Sequence, residues 1–366
     1  MYPVYAVLFA DSGLSPAEIS SLFVIWSVTT FLLELPSGLW ADVFSRRLLL
    51  VTAPLLAGAG FGLWAFVPSY PAFAAGFVLW GAGSALRSGA LQALVYEGLE
   101  QVGAPEAYAR LIGRSEAVSL LAVVAASGVA APVLAVGGYR ALGVASVVVC
   151  VLGAVAGWAL PESRGGGDVE EEGAFAGVVR EGWRQVREVP GVRGAVVLSV
   201  VLTGVTSLDE YVPLVVRSMG VAAVWVPLLV LVVTVGDAVG GWFAGRGAGR
   251  LPVVLGAGAV CLAAGSLGGS PAGLVLVAVA FGVFRWAMAA ADARLQERIS
   301  GGARATVTSL AGFGSEVVAV LAFAGWALGS RWAGAGVLLG AAAVPYAVVA
   351  VVLGVCGRRR GVHREL

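Results

Sequence analysis

Apolar runs about one bilayer crossing long, cut apart by short stretches carrying Arg, Gly or Pro, constrain this chain of 366 residues more than any other feature. A helix rises about 1.5 Å per residue, so about 20 apolar residues cross a hydrocarbon core about 30 Å thick. Such runs recur near 17–40, 48–67, 72–95, 115–136, 140–160, 194–216, 221–244, 252–269, 272–293, 305–328 and 333–356. Charged residues make up only 12% of the chain, against about 25% in ordinary soluble domains, and mean hydropathy is +0.92. A chain this long with so few charges cannot cover a water-facing surface. An all-α membrane protein follows, and a cytosolic enzyme, a secreted disulfide scaffold and a disordered chain do not.

Residues 1–10, MYPVYAVLFA, are apolar but span only about 15 Å as a helix. They lack the basic start of a signal peptide, and Asp11-Ser12-Gly13 follows in place of a small-residue cleavage site. They are expected to be the outer half of a first helix whose beginning is truncated in this chain, which would bring the spans to twelve. All 23 basic residues are Arg. With the loop after the run 17–40 on the inner side, only Arg140, Arg217 and Arg331 fall in outer loops, and only Arg87 and Arg285 fall inside spans. The remaining Arg residues gather on one side, which predicts a multi-pass plasma-membrane protein with a cytoplasmic C-terminus.

Residues 161–193 break the pattern. PESRGGGDVEEEG reads as a linker, and Phe175, Val178, Val179, Trp183, Val186 and Val189 recur near helical spacing between Arg180, Arg184 and Arg187. An interfacial amphipathic helix and a plain connector are both compatible with that spacing. The expected organisation is a bundle over 1–160, a cytoplasmic linker over 161–193, a second bundle over 194–357 and a basic tail over 358–366.

The two halves repeat. Glu34 corresponds to Asp237 and Gly38 to Gly241 at an offset of 203, and Arg46 to Arg250 at 204. Arg87 corresponds to Arg285 at 198 and Arg110 to Arg304 at 194. Single matches mean little in a chain with 53 Gly, but the ordered series fits two parallel six-helix halves, a plan used by transporters.

The segment Gly38–Arg47, GLWADVFSRR, resembles the G-x-L-A-D-x-x-G-R-[KR] signature of the major facilitator superfamily, with drug-efflux members as the broadest likeness. Ser45 stands where the signature has Gly, and Phe77 stands before Gly81 where drug antiporters carry an Arg. The resemblance implies two six-helix bundles and transport by alternating access. It also implies a conformational gate made of Gly38, Asp42, Arg46, Arg47 and Glu97. Asp42 would cap the helix entered at Arg304 and Thr306, and Arg46 or Arg47 would pair with Glu97. It further implies that the first, fourth, seventh and tenth helices line the pathway.

Charges inside spans cost about 2.5–3.5 kcal/mol each on insertion scales, so each needs a partner or a wet cavity. Glu34 with Arg87, and Asp237 with Arg285, are expected as ion pairs at similar depth in the two halves. They are either structural neutralisation or part of the pathway. Asp209 and Glu210 lie in the run 194–216 with no basic residue beside them inside it. Adjacent carboxylates repel, so one of them is a candidate to carry a proton. The expected substrate and proton-coupling set is therefore Asp209, Glu210, Arg87, Arg285, Glu34 and Asp237, with Glu316 a weaker candidate. Tyr2, Tyr5, Trp80, Tyr211, Phe284 and Trp286 could give the pathway an aromatic lining.

The one His, His363, is in the tail, and Cys150, Cys261 and Cys356 lie far apart, so no metal site or cofactor is expected. H-E-x-x-H, G-x-S-x-G and a P-loop are all absent from the sequence, which argues against an enzyme and against direct ATP drive. A net charge of +1 gives no reason to expect nucleic acid. The expected partners are a small organic solute, protons and the lipid bilayer, with the chain a monomer. The expected function is proton-coupled export. The alternatives are a uniporter or importer of a sugar or metabolite, and a transport-inactive sensor or scaffold.

Overall fold

The computed structural model describes residues 1–160, 183–184, 186–299 and 304–362. Among these residues there is no strand, and the chain divides into two compact units, Met1–Val169 and Glu170–Leu366. Most of the linker, including Phe175, Val178, Val179 and Arg180, lies outside the described residues, as does His363.

The first unit holds α1 (Tyr5–Asp11), α2 (Pro16–Val43), α3 (Arg46–Phe66), α4 (Tyr70–Gln101) and α5 (Tyr108–Trp158). Sequence punctuation sets their ends. Ser15 and Glu18 form a capping box at the start of α2, with Ser15 N–H donating to Glu18 at 2.8 Å. Ser45 caps α3 by accepting a hydrogen bond from Leu48 N–H at 3.1 Å, so the residue that departs from the family signature has a local task. The 51-residue α5 merges the two runs 115–136 and 140–160 across a bend at Gly138, whose φ of 62° is accessible chiefly to glycine. Helix α4 packs against α2 and α3, and α5 against α3.

Aromatic rings fill this unit. Tyr5, Phe9, Phe23, Trp64, Phe73 and Phe77 are fully buried and in mutual ring contact around α1. Trp64 donates its indole N–H to the Phe73 carbonyl at 3.0 Å, satisfying the polar atom that such a core would otherwise strand.

The second unit holds α6 (Pro190–Thr206), a 3-10 turn (Ser207–Tyr211), α7 (Val212–Ser218), α8 (Val226–Trp242), α9 (Leu251–Leu267), α10 (Leu274–Arg298), α11 (Arg304–Gly329), α12 (Ala335–Ala341) and α13 (Ala343–Val362). Helix α10 packs against α6, α8 and α9, while α9 also meets α12 and α13. Two expected spans are interrupted. The run 194–216 breaks into α6, the turn and α7, and the run 333–356 breaks between α12 and α13 near Pro345. Across the described residues, eight helices are long and apolar enough to cross a membrane, the bent 110–158 segment counting once.

Candidate functional site

In the second unit α8 and α10 touch backbone to backbone. A methyl group added at Gly236, Gly240 or Gly282 would overlap main-chain atoms of the facing helix. Gly236 and Gly240 are one turn apart, the small-x-x-x-small arrangement that lets membrane helices approach closely. Asp237 follows Gly236, and Arg285 lies one turn beyond Gly282. The close crossing thus brings a carboxylate and a guanidinium together: Arg285 Nε donates to Asp237 Oδ2 at 3.0 Å. The Arg285 side chain is 51% exposed and that of Asp237 27%, so the pair borders open space and is not sealed in the core.

Asp209 approaches the same pair from the 3-10 turn, within electrostatic reach of both Asp237 and Arg285. Asp237 is thus the carboxylate in contact with Arg285, and Asp209 lies near enough to both to act on them through space. The expectation that Asp209 and Glu210 sit on a regular helix is corrected. Pro213 has no N–H to donate to the Asp209 carbonyl, and that carbonyl is met by the N–H of Val212 in a tighter three-residue step. Asp209 is exposed and Glu210 half-buried. Tyr211, at the end of the turn, is buried and stacked on Trp326 at 3.9 Å.

One turn earlier, Thr206 gathers a polar cluster. Its hydroxyl lies 2.8 Å from the Tyr346 hydroxyl on α13 and donates to the Leu202 carbonyl at 2.7 Å, leaving the tyrosine hydroxyl as donor to Thr206. The Met288 sulfur is 3.4 Å from the same oxygen. Tyr346 is buried and stacked on Phe284 at 3.7 Å, and its hydroxyl is within electrostatic reach of Asp209. Four segments thus converge: the end of α6 with its turn, α8, α10 and α13. Thr206, Met288 and Tyr346 were not singled out from sequence. A tyrosine beside Pro345 within an apolar run is the one local signal that could have drawn attention to this group.

The first unit arranges its charges otherwise. Glu34 on α2 and Arg87 on α4 are both exposed, and the expected ion pair between them is not formed among the described residues. Arg46 is buried at the start of α3 and pairs with Glu97 near the end of α4. Arg47 lies over the Trp158 ring, 5.1 Å from its centroid. The side chains of Gly38, Asp42, Arg304 and Thr306 lie outside the described residues, and so does the expected cap between them. The aromatic lining is also corrected. Tyr5, Tyr211 and Phe284 are buried against other rings, and Trp286 is buried except where it borders the α8–α10 groove.

Among the described residues no group of His, Cys, Asp and Glu is arranged to hold a metal ion. The chemistry open to the site is proton exchange and ion pairing: an acid that can neutralise Arg285, and a second acid beside it that can take its place.

The family model described as Major Facilitator Superfamily matches residues 1–323. No curated protein matches the chain. Among solved structures, a mutant form of the nucleoside transporter NupG is similar with a TM-score of 0.71 at 12% identity, covering 95% of this chain and 94% of that one. A bacterial homologue of the human lysosomal transporter Spinster, inward-facing and unoccupied, gives 0.66 at 16% identity, with 95% and 93% covered. A D-xylose–proton symporter gives 0.65 at 15% identity, with 95% and 90% covered. At such identities the likeness is one of fold.

Proposed function

This chain belongs to the major facilitator superfamily, an integral multi-pass membrane protein with the fold of its transporters, and we propose that it is a proton-coupled secondary transporter exporting a small organic solute by alternating access. The observation that carries this reading is the partly exposed Asp237–Arg285 pair at the α8–α10 crossing, with Asp209 within electrostatic reach of both. A proton arriving on either carboxylate removes one competitor for Arg285. A proton leaving restores it. The guanidinium can therefore change partners without being stranded, which is what coupling a proton to a change of shape requires. Arg87, Glu34 and Glu210 complete the proposed pathway set, exposed or half-buried on their elements. Arg46 and Glu97 act with Gly38, Asp42 and Arg47 as the gate at one end of the first unit.

The energy is sufficient. One proton falling through about 150 mV releases about 3.5 kcal/mol, enough for a solute gradient of a few hundredfold. Outward direction rests on the chain's broad similarity to drug-efflux members of the superfamily. The test is solute flux in proteoliposomes under an imposed pH gradient, with and without an uncoupler. Uncoupler-sensitive accumulation supports the reading. Flux indifferent to the uncoupler favours a uniporter, and accumulation in the opposite sense favours an importer.

A further inference from the structure

Away from Asp209, the second unit carries a groove of about 570 Å³ between α8 and α10, bordered also by Val254 near the start of α9. Its wall is aliphatic, formed by Val232, Val235 and Val239 on α8 and Val275, Val279 and Val283 on α10. Most of these valines are exposed within the unit, Val275 by 59% and Val239 by 50%. Two basic residues, Arg246 and Arg250, border one end of the groove. Among the described residues neither forms an ion pair with a carboxylate.

The turn that carries Arg246 is built for this position. Gly245 and Gly247 on either side have φ of 80° and 73°, which β-carbon-bearing residues rarely adopt. The resulting loop lets Trp286 donate its indole N–H to the Arg246 carbonyl at 2.9 Å. It also places the guanidinium over Phe243, 5.7 Å from the ring centroid. The basic rim is thus pinned to α10 and α8. From Val232 to Phe243 the groove follows α8 for about 16 Å, close to half of a hydrocarbon core about 30 Å thick. A slot one leaflet deep, apolar along its length and doubly cationic at its mouth, is complementary to one chemical class: a phospholipid with an anionic headgroup. Arg pairs well with phosphate because its planar fork offers two parallel donors.

We infer that the α8–α10 groove binds one anionic phospholipid, its phosphate held by Arg246 and Arg250 and an acyl chain lying along Val235, Val239 and Val279. The lipid would bridge the two helices that carry Asp237 and Arg285.

The test is native mass spectrometry of the full chain released from detergent micelles, titrated with dioleoylphosphatidylglycerol or dioleoylphosphatidylcholine. The wild type is expected to retain one phosphatidylglycerol about thirtyfold more tightly than phosphatidylcholine. The double variant Arg246→Gln/Arg250→Gln should bring phosphatidylglycerol down to the phosphatidylcholine level. Val279→Trp, which fills the slot and leaves both Arg in place, should weaken both lipids at least tenfold. Val239→Trp serves the same purpose if Val279→Trp lowers the melting temperature of delipidated protein. Equal retention of the two lipids by the wild type would overturn the inference. So would phosphatidylglycerol binding unchanged by the slot-filling variant, which would mark Arg246 and Arg250 as a surface charge patch without a groove. Lipid retention is read without any solute, so its outcome is independent of whether the chain transports.

Discussion

Glu34 on α2 and Arg87 on α4 occupy the places in the first unit that Asp237 on α8 and Arg285 on α10 occupy in the second, yet among the described residues the second couple is joined and the first is not. The reason lies one turn away. At the same register, Leu33 and Ser37 stand where the second unit has Gly236 and Gly240. The glycines let α8 meet α10 backbone to backbone, whereas Gly81 on α4 faces the side chains of Thr29 and Thr30 on α2. The repeated plan has thus diverged in its core: the first unit is held by an aromatic cluster around Tyr5 and a terminal Arg46–Glu97 pair, the second places its polar groups on a close glycine crossing.

That contrast can be broken most forcefully at the crossing itself. Gly240→Leu must push α10 away from α8. It should abolish accumulation and cost about 3 kcal/mol or more in stability, seen as loss of monodisperse protein by fluorescence-detected gel filtration. Next in size is the charge comparison. Asp237→Asn leaves Arg285 without its 3.0 Å partner and is expected to lower gradient-driven flux about a hundredfold, while Glu34→Gln should change it less than about threefold. Equal losses in the two variants would erase the distinction between the units. Arg46→Gln breaks a buried pair in the first unit, so a melting-point drop equivalent to about 2 kcal/mol is expected in a thiol-dye unfolding assay. Smallest is Ser45→Ala, which removes the cap of α3 and should cost about 1 kcal/mol, whereas Ser45→Gly, the family residue, should cost only a few tenths.

Sequence alone carried the fold class a long way because lipid admits few solutions: repeated apolar runs of bilayer length leave an all-helical membrane protein. The register of the repeat pointed correctly to Asp237 and Arg285 as neighbours, since both sit at matched depth on adjacent helices. Depth alone does not say how closely two helices cross, so the same register does not by itself join Glu34 to Arg87. Asp209 is legible as a charge in an apolar run, but the 3-10 break that carries it comes from the missing N–H of Pro213, which hydropathy does not register. Thr206 and Tyr346 lie 140 residues apart, and nothing local links a threonine on α6 to a tyrosine on α13. Rings gave the opposite error: a Trp or Phe that packs inward and one that faces a pathway look alike in one dimension.

The central claim is that the acids of the second unit, with Arg285, couple solute to proton. It is tested most directly by solute-driven proton movement in everted vesicles, followed with an entrapped pH dye, comparing wild type, Asp209→Asn and Glu34→Gln. The account predicts that wild type and Glu34→Gln move protons when solute is added and that Asp209→Asn does not, while still exchanging labelled for unlabelled solute. Proton movement preserved in Asp209→Asn, or lost equally in Glu34→Gln, would contradict it.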